Sequence, residues 1–329
     1  MIDNADTSYE NLQVRFQRNI GALLFAGIIL CVHPGNALGH VDVDESIDGY
    51  SKRLLRTPAD PDLLIKRQFL LRDVGRFQAA LLDLGRIGVI APDHPLLPLE
   101  LGLTYTAMNN YVKALEHLTI YLKRPDNESS KHARAVGYSA RAKAYERQNQ
   151  PEKALADYRA SLEIWMHQDT LFACGRLLEK LHRFDEASAI FRDGLAKLKD
   201  SAALRISLVR SLRAQEKFSE AILVVNPLIE QARMPAQWLL LRAELHAANG
   251  KANAATKDRN VAMAAINKVL RKRDTGQIRL LRARAWIGMG KPREARIDLL
   301  LALDRAPKLV EARRLLDSIN LKMPTRGDP

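Results

Sequence analysis

Lys143, Arg176 and Arg210 recur at steps of 33 and 34 residues, and Arg147, Lys180 and Arg213 lie within a helical turn of them. Cations fixed at such an interval can grip carboxylates, because guanidinium and ammonium groups donate short, charge-assisted hydrogen bonds to them. That is recognition chemistry, and nothing in the chain adds reaction chemistry to it. No Gly-x-Ser-x-Gly, His-Glu-x-x-His, glycine-rich phosphate loop or paired-cysteine metal site is present. The eight histidines are dispersed, and His246 reads as a packed ring rather than a catalytic base. The expectation is a binding protein that is not an enzyme and uses no cofactor.

Something regular must hold those cations. Ala80, Ala114, Ala154, Ala187, Ala221, Ala255 and Ala295 recur at steps of 34, 40, 33, 34, 34 and 40 residues. Five of them follow a short Gly, Asn or polar turn and an aromatic or proline, as in His182-Arg-Phe184-Asp-Glu-Ala187. A period near 34 marks stacked helical hairpins, not a compact enzyme domain. In the fourth repeat Leu171, Cys174, Gly175 and Leu178 form one helical stripe, and Ala187, Ile190, Phe191, Gly194 and Leu195 form the next. The small residues at 175 and 187 are expected to let the two helices approach closely.

Arranged this way, the chain resembles the tetratricopeptide repeat family over about residues 61 to 307. The resemblance rests on small residues at Gly102, Ala142, Gly175, Ala243 and Ala283, and on rings at Tyr105, Tyr145 and Trp286 three residues later. The seven alanines and the closing prolines Pro92, Pro125 and Pro307 complete it. Arg141-Ala-Lys-Ala-Tyr145, Arg242-Ala-Glu-Leu-His246 and Arg282-Ala-Arg-Ala-Trp286 share one variant of the motif. The resemblance implies an all-α, right-handed α-solenoid of about seven hairpins over 61–307, with an N-terminal helix or cap in 40–60. A capping helix is expected over 308–322 and a frayed tail over 323–329. Repeats five and six depart from the pattern at Val209, Ala252 and Arg259 and are expected to pack loosely. Both 40-residue steps carry six extra residues. One set lies around Pro125–Ser130, a polar turn or a lengthened helix, and the other around Arg271–Gly276, after the second helix of repeat six. Insertions in such stacks map to surface loops.

In that family the first helix of each hairpin lines the concave face. The ninth repeat position on that helix reads Phe69, Leu103, Lys143, Arg176, Arg210, Glu244 and Arg284. The expected groove joins an apolar end, Ile65, Phe69, Leu99 and Leu103, to Lys143, Arg147, Phe172, Arg176, Lys180, Arg210 and Arg213. It would hold an acidic protein or peptide carrying apolar anchors. The family's carboxylate clamp uses asparagines with lysines, and no such asparagines occur here. A second basic cluster comprises Lys268, Arg271, Lys272, Arg273 and Arg279. With aromatics at 6%, nucleic acid is disfavoured there, and an anionic lipid or lipopolysaccharide surface fits better.

The bulk numbers agree with a folded, basic, helical chain: 329 residues, 47% apolar, net charge +13. At the N-terminus Arg15 and Arg18 precede an uncharged apolar run, Ile20–Val32, followed by Pro34 and small residues to Gly39. This is the anatomy of a secretory signal over 1–39, although Asp3, Asp6 and Glu10 are unusual in one. Export, to a periplasm in the first instance, is therefore expected, with a retained inner-membrane anchor as the alternative. Removing three acids and two bases would raise the net charge to +14 and leave Cys174 as the single cysteine, read as a buried hydrophobe. Cleavage there would also place His40 at or near a free amine, a candidate copper or nickel ligand in an accessory metal-handling role.

Overall fold

The computed structural model describes residues 43–125, 131–198 and 201–322. The expected signal, His40 and the tail from 323 lie outside them. The described residues form sixteen helices and no strand. A leading helix, α1 (Val43–Arg56), is followed by seven hairpins: α2 (Pro61–Asp73) with α3 (Phe77–Ile90), α4 (Leu97–Ala107) with α5 (Tyr111–Leu122), α6 (Lys131–Arg147) with α7 (Pro151–Ile164), α8 (Gln168–Lys180) with α9 (Phe184–Lys197), α10 (Ala202–Ala214) with α11 (Phe218–Gln231), α12 (Ala236–Ala248) with α13 (Ala252–Leu270), and α14 (Gly276–Gly288) with α15 (Pro292–Arg305). A trailing helix, α16 (Val310–Lys322), ends the described chain. Two compact units divide within α8, the first ending at Cys174 and the second beginning at Gly175.

Local chemistry sets the helix starts. Asp60, Asn110, Ser201 and Thr275 each accept a hydrogen bond from a backbone N–H three residues on, satisfying a donor that the first turn leaves unpaired. Pro61, Pro151 and Pro292 open α2, α7 and α15, where a missing N–H costs nothing.

The turn inside every hairpin is made the same way. Gly75, Asn109, Asn149, His182, Glu216, Gly250 and Gly290 all have φ between 57° and 77°. They stand five residues before the seven recurrent alanines, so one left-handed residue reverses the chain in each repeat. The residue after it then closes the turn, as when Arg183 N–H donates to Leu178 C=O at 2.9 Å.

Each alanine of the series is completely buried. In the second unit a Cβ added at Gly175 would lie 2.2 Å from Phe191 Cζ, and in the first unit one at Gly102 would lie 2.5 Å from Leu118 Cγ. In these two repeats the glycine of the first helix is thus a socket for a large side chain of the second. First helices also touch the next first helix, as α2 does α4 and α12 does α14. α1 buries Ile47 and Leu54 against the first hairpin, and α16 buries Ala312, Leu316 and Ile319 against the last.

Three expectations need adjustment. Val209 does not loosen its repeat: it is buried, as is Val225 on α11. Arg259 of α13 lies across Gly288 of α14, its Nε 2.7 Å from where a Cβ would stand. The extra residues near Arg271 do not all form a loop: α13 runs 19 residues, where the second helices of the other repeats run 12 to 14.

Glu216 holds a left-handed conformation that costs an L-residue about 1–2 kcal/mol and a glycine almost nothing. Glu216→Gly should raise stability to denaturant by about 1 kcal/mol. A lower midpoint would show that the side chain contributes more than its backbone strain removes.

Candidate functional site

The expected groove residues are placed here unit by unit. In the first unit Ile65 and Leu99 are buried. Ile65 sits among Leu54, Leu64, Leu84 and Ile87, and Leu99 among Leu118, Tyr121, Leu122 and Ala144. These two do not line a surface: adjacent helices cover this face of α2 and α4. Phe69 is half-buried against Ile47, Leu70 and Ala80, with the Arg72 guanidinium 5.3 Å above its ring. Leu103 is half-buried against the Leu99 cluster, and Phe172 on α8 is half-buried too. Lys143 and Arg147, one turn apart on α6, are exposed, and no described carboxylate lies within ion-pair distance of either.

In the second unit the basic row separates into paired and unpaired members. Arg210 reaches Glu179 at 2.9 Å, and Ser211 Oγ donates to the same carboxylate at 2.7 Å. Arg213 lies 3.9 Å from Glu244, and Arg284 3.0 Å from Glu244 and 3.8 Å from Glu311. Such exposed pairs stabilise the fold little, but each cancels a charge. Arg176 and Lys180, one turn apart on α8, are exposed and have no described carboxylate partner.

Sequence reasoning missed a buried polar ladder. Arg67 pairs with Asp83, Arg141 with Asp157, Arg242 with Asp258 and Arg282 with Asp298, each by two guanidinium bonds of 2.6–2.8 Å. The aspartates are buried, and the pairing holds three of the arginines, Arg67, Arg141 and Arg242, above the ordinary guanidinium range. All four pairs join the two helices of one hairpin over 16 residues. The signal was available: an arginine 13 residues before the repeat alanine always comes with an aspartate three after it. The other three repeats carry Leu101 with His117, Cys174 with Ile190, and Leu208 with Val224 at these positions. A third bond often reaches the preceding helix, from Arg67 to Ser51 Oγ, Arg242 to Asn226 and Arg282 to Asn267.

Arg279 does not belong to the free basic cluster. It donates to Asp274 at 2.8 Å and to Asp298 at 3.0 Å. Arg305 also meets Asp274, at 2.7 Å, and the two guanidinium groups hold that carboxyl far below the usual range. His246 keeps its ring packed, with Nδ1 buried and unpartnered, and burial pushes its pKa below the ordinary imidazole value.

Two tetratricopeptide repeat family models match the chain, over residues 178–245 and 135–164. Comparison with the curated proteins finds no match. A tetratricopeptide repeat protein from Parabacteroides merdae is 23% identical, over 79% of this chain and 98% of its own, with a TM-score of 0.46. The C-terminal part of a TPR repeat-containing protein from Cytophaga hutchinsonii is 13% identical, over 76% and 98%, with a TM-score of 0.56. Phased hairpins, left-handed turns and glycine sockets define a helical repeat protein. Within it, residues 135–164 and 178–245 are similar to tetratricopeptide repeats.

Arg242→Met should strand the buried Asp258 and lower stability by about 3–5 kcal/mol. Arg242→Leu with Asp258→Val, the residues that repeat five carries there, should recover most of that in chemical denaturation. A double variant no more stable than the single one would show that the pair is not the source of the loss.

Proposed function

We propose that this chain is a non-enzymatic scaffold that holds an acidic segment of another protein against the exposed faces of its first helices. The observation that carries the reading is the unpaired state of Arg176 and Lys180 on α8. Cations at the same repeat position in the second unit, Arg210 and Arg284, already have carboxylates, so within this row of the second unit the charge left for a ligand lies at this pair. A surface that merely kept the protein soluble would have no reason to leave one turn unneutralised beside neutralised ones. Lys143 and Arg147 repeat the arrangement on α6 in the first unit. Bidentate guanidinium–carboxylate bonds would set the register of the bound segment. Within the first unit, the half-buried Phe69, Leu103 and Phe172 are ring and aliphatic edges of the kind on which apolar side chains of such a segment pack.

Crosslinking the full chain in its native envelope fraction should recover a partner, and Arg176→Glu with Lys180→Glu should reduce that recovery at least tenfold. Helicity should be unchanged, since both side chains are exposed. Undiminished recovery would remove α8 from the binding face.

The setting we propose is a bacterial envelope assembly. Support comes from Arg15 and Arg18 ahead of the apolar run Ile20–Val32 and the small residues that follow it. Fractionation with N-terminal sequencing should find a processed chain outside the cytoplasm, beginning between Leu38 and His40. A full-length chain confined to the cytoplasmic fraction would overturn the export reading.

A further inference from the structure

The turn between α13 and α14 carries more unpaired positive charge than the end of any other second helix. Lys268 lies in the last turn of α13, and Arg271, Lys272 and Arg273 follow it directly. All four side chains are exposed, and none has a described carboxylate within ion-pair distance. Cations do complement the negative end of a helix dipole, but that effect fades within the last turn. In its last turn α13 holds one cation, as α9 and α15 do with Lys197 and Arg305, but three more follow it directly, where α5 is followed by two, Lys123 and Arg124. Helix capping therefore does not account for four.

The backbone under these side chains is ordered. Lys272 N–H and Arg273 N–H both donate to Val269 C=O, at 2.9 and 2.8 Å, and Arg271 N–H donates to Asn267 C=O at 3.2 Å. The next acid along the chain cannot neutralise the cluster, because Asp274 is held by Arg279 and Arg305. α13 itself has five residues more than the usual 14, roughly 7.5 Å of added helix at 1.5 Å per residue. These five added residues place the cationic end one turn and more beyond the length of the other second helices.

We propose that this end docks on an anionic lipid surface, a binding function separate from the peptide-holding faces. Four exposed cations within residues 268–273 suit a plane of phosphate headgroups. The depression beside it is lined by Asp274, Thr275, Gly276, Gln277, Arg305 and Ala306, and none of the four free cations is among them. Single-stranded nucleic acid would call for aromatic faces to stack its bases. None stands among the exposed large apolar side chains described in this unit.

The test uses the full chain and two kinds of vesicle, pure phosphatidylcholine and a mixture with about one third phosphatidylglycerol. The readout is the ratio of sedimented protein between them, so that any insertion of Ile20–Val32 common to both cancels. Each juxtamembrane cation contributes roughly fivefold, so Arg271→Gln, Lys272→Gln and Arg273→Gln together should lower the anionic partition about a hundredfold. The wild-type ratio should also fall toward unity in about 0.5 M salt, where charges are screened over a few ångströms. Arg176→Gln with Lys180→Gln should leave the ratio unchanged, which keeps this proposal separable from the peptide-binding one. A ratio unmoved by the triple variant or by salt overturns the proposal, as does one that collapses in the Arg176/Lys180 variant. Binding of a labelled RNA 20-mer that the triple variant loses while keeping its vesicle ratio would assign the cluster to nucleic acid instead.

Discussion

In two of the hairpins a side chain of the second helix occupies space that the first helix leaves empty. Phe191 fills the position where Gly175 has no Cβ, and Leu118 does the same at Gly102. The ring and the isobutyl group are fully buried by this arrangement, which removes their apolar area from water without an inter-helix void. The rest of the architecture is fitted to that approach. The alanine five residues past the turn is fully buried in every repeat, and a left-handed residue makes the turn that leads into it.

Polar groups inside the hairpins obey a stricter rule than the apolar ones. An arginine facing inward from the first helix occurs only where the second helix supplies an aspartate, and where one is absent so is the other. A guanidinium or carboxylate left unpaired in this interior would lose its hydration with nothing in exchange. Ser51, Asn226 and Asn267 add acceptors from the preceding helix to three of the four arginines. Those bonds have direction, which apolar contacts lack. They favour one rotational setting of a first helix against its predecessor.

Much of this was legible in the sequence because it is periodic. The alanine series locates all seven hairpins, and the polar turn at His182 that the sequence implies has the left-handed backbone that such a turn needs. What stayed hidden depends on pairs of distant positions. Whether Ile65 and Leu99 face solvent is decided by the helices stacked over them, not by their own helical stripe. The basic row looked continuous because Glu179 lies 31 residues from Arg210, and Glu244 lies 40 from Arg284. The arginine–aspartate ladder needed two positions to be compared at once, and reading the first helix alone found only half of it.

One asymmetry between the two ends of a hairpin has a practical consequence. The connection inside each hairpin is fixed in length and backbone shape in all seven repeats, while the added residues accompany a longer α6 and a longer α13. Foreign sequence spliced in beside Glu216 would therefore pull two mated helices apart. The same graft beside Lys272 would enter a junction that has already absorbed an enlargement, which makes that edge the permissive locus for epitope tags or fluorophore handles.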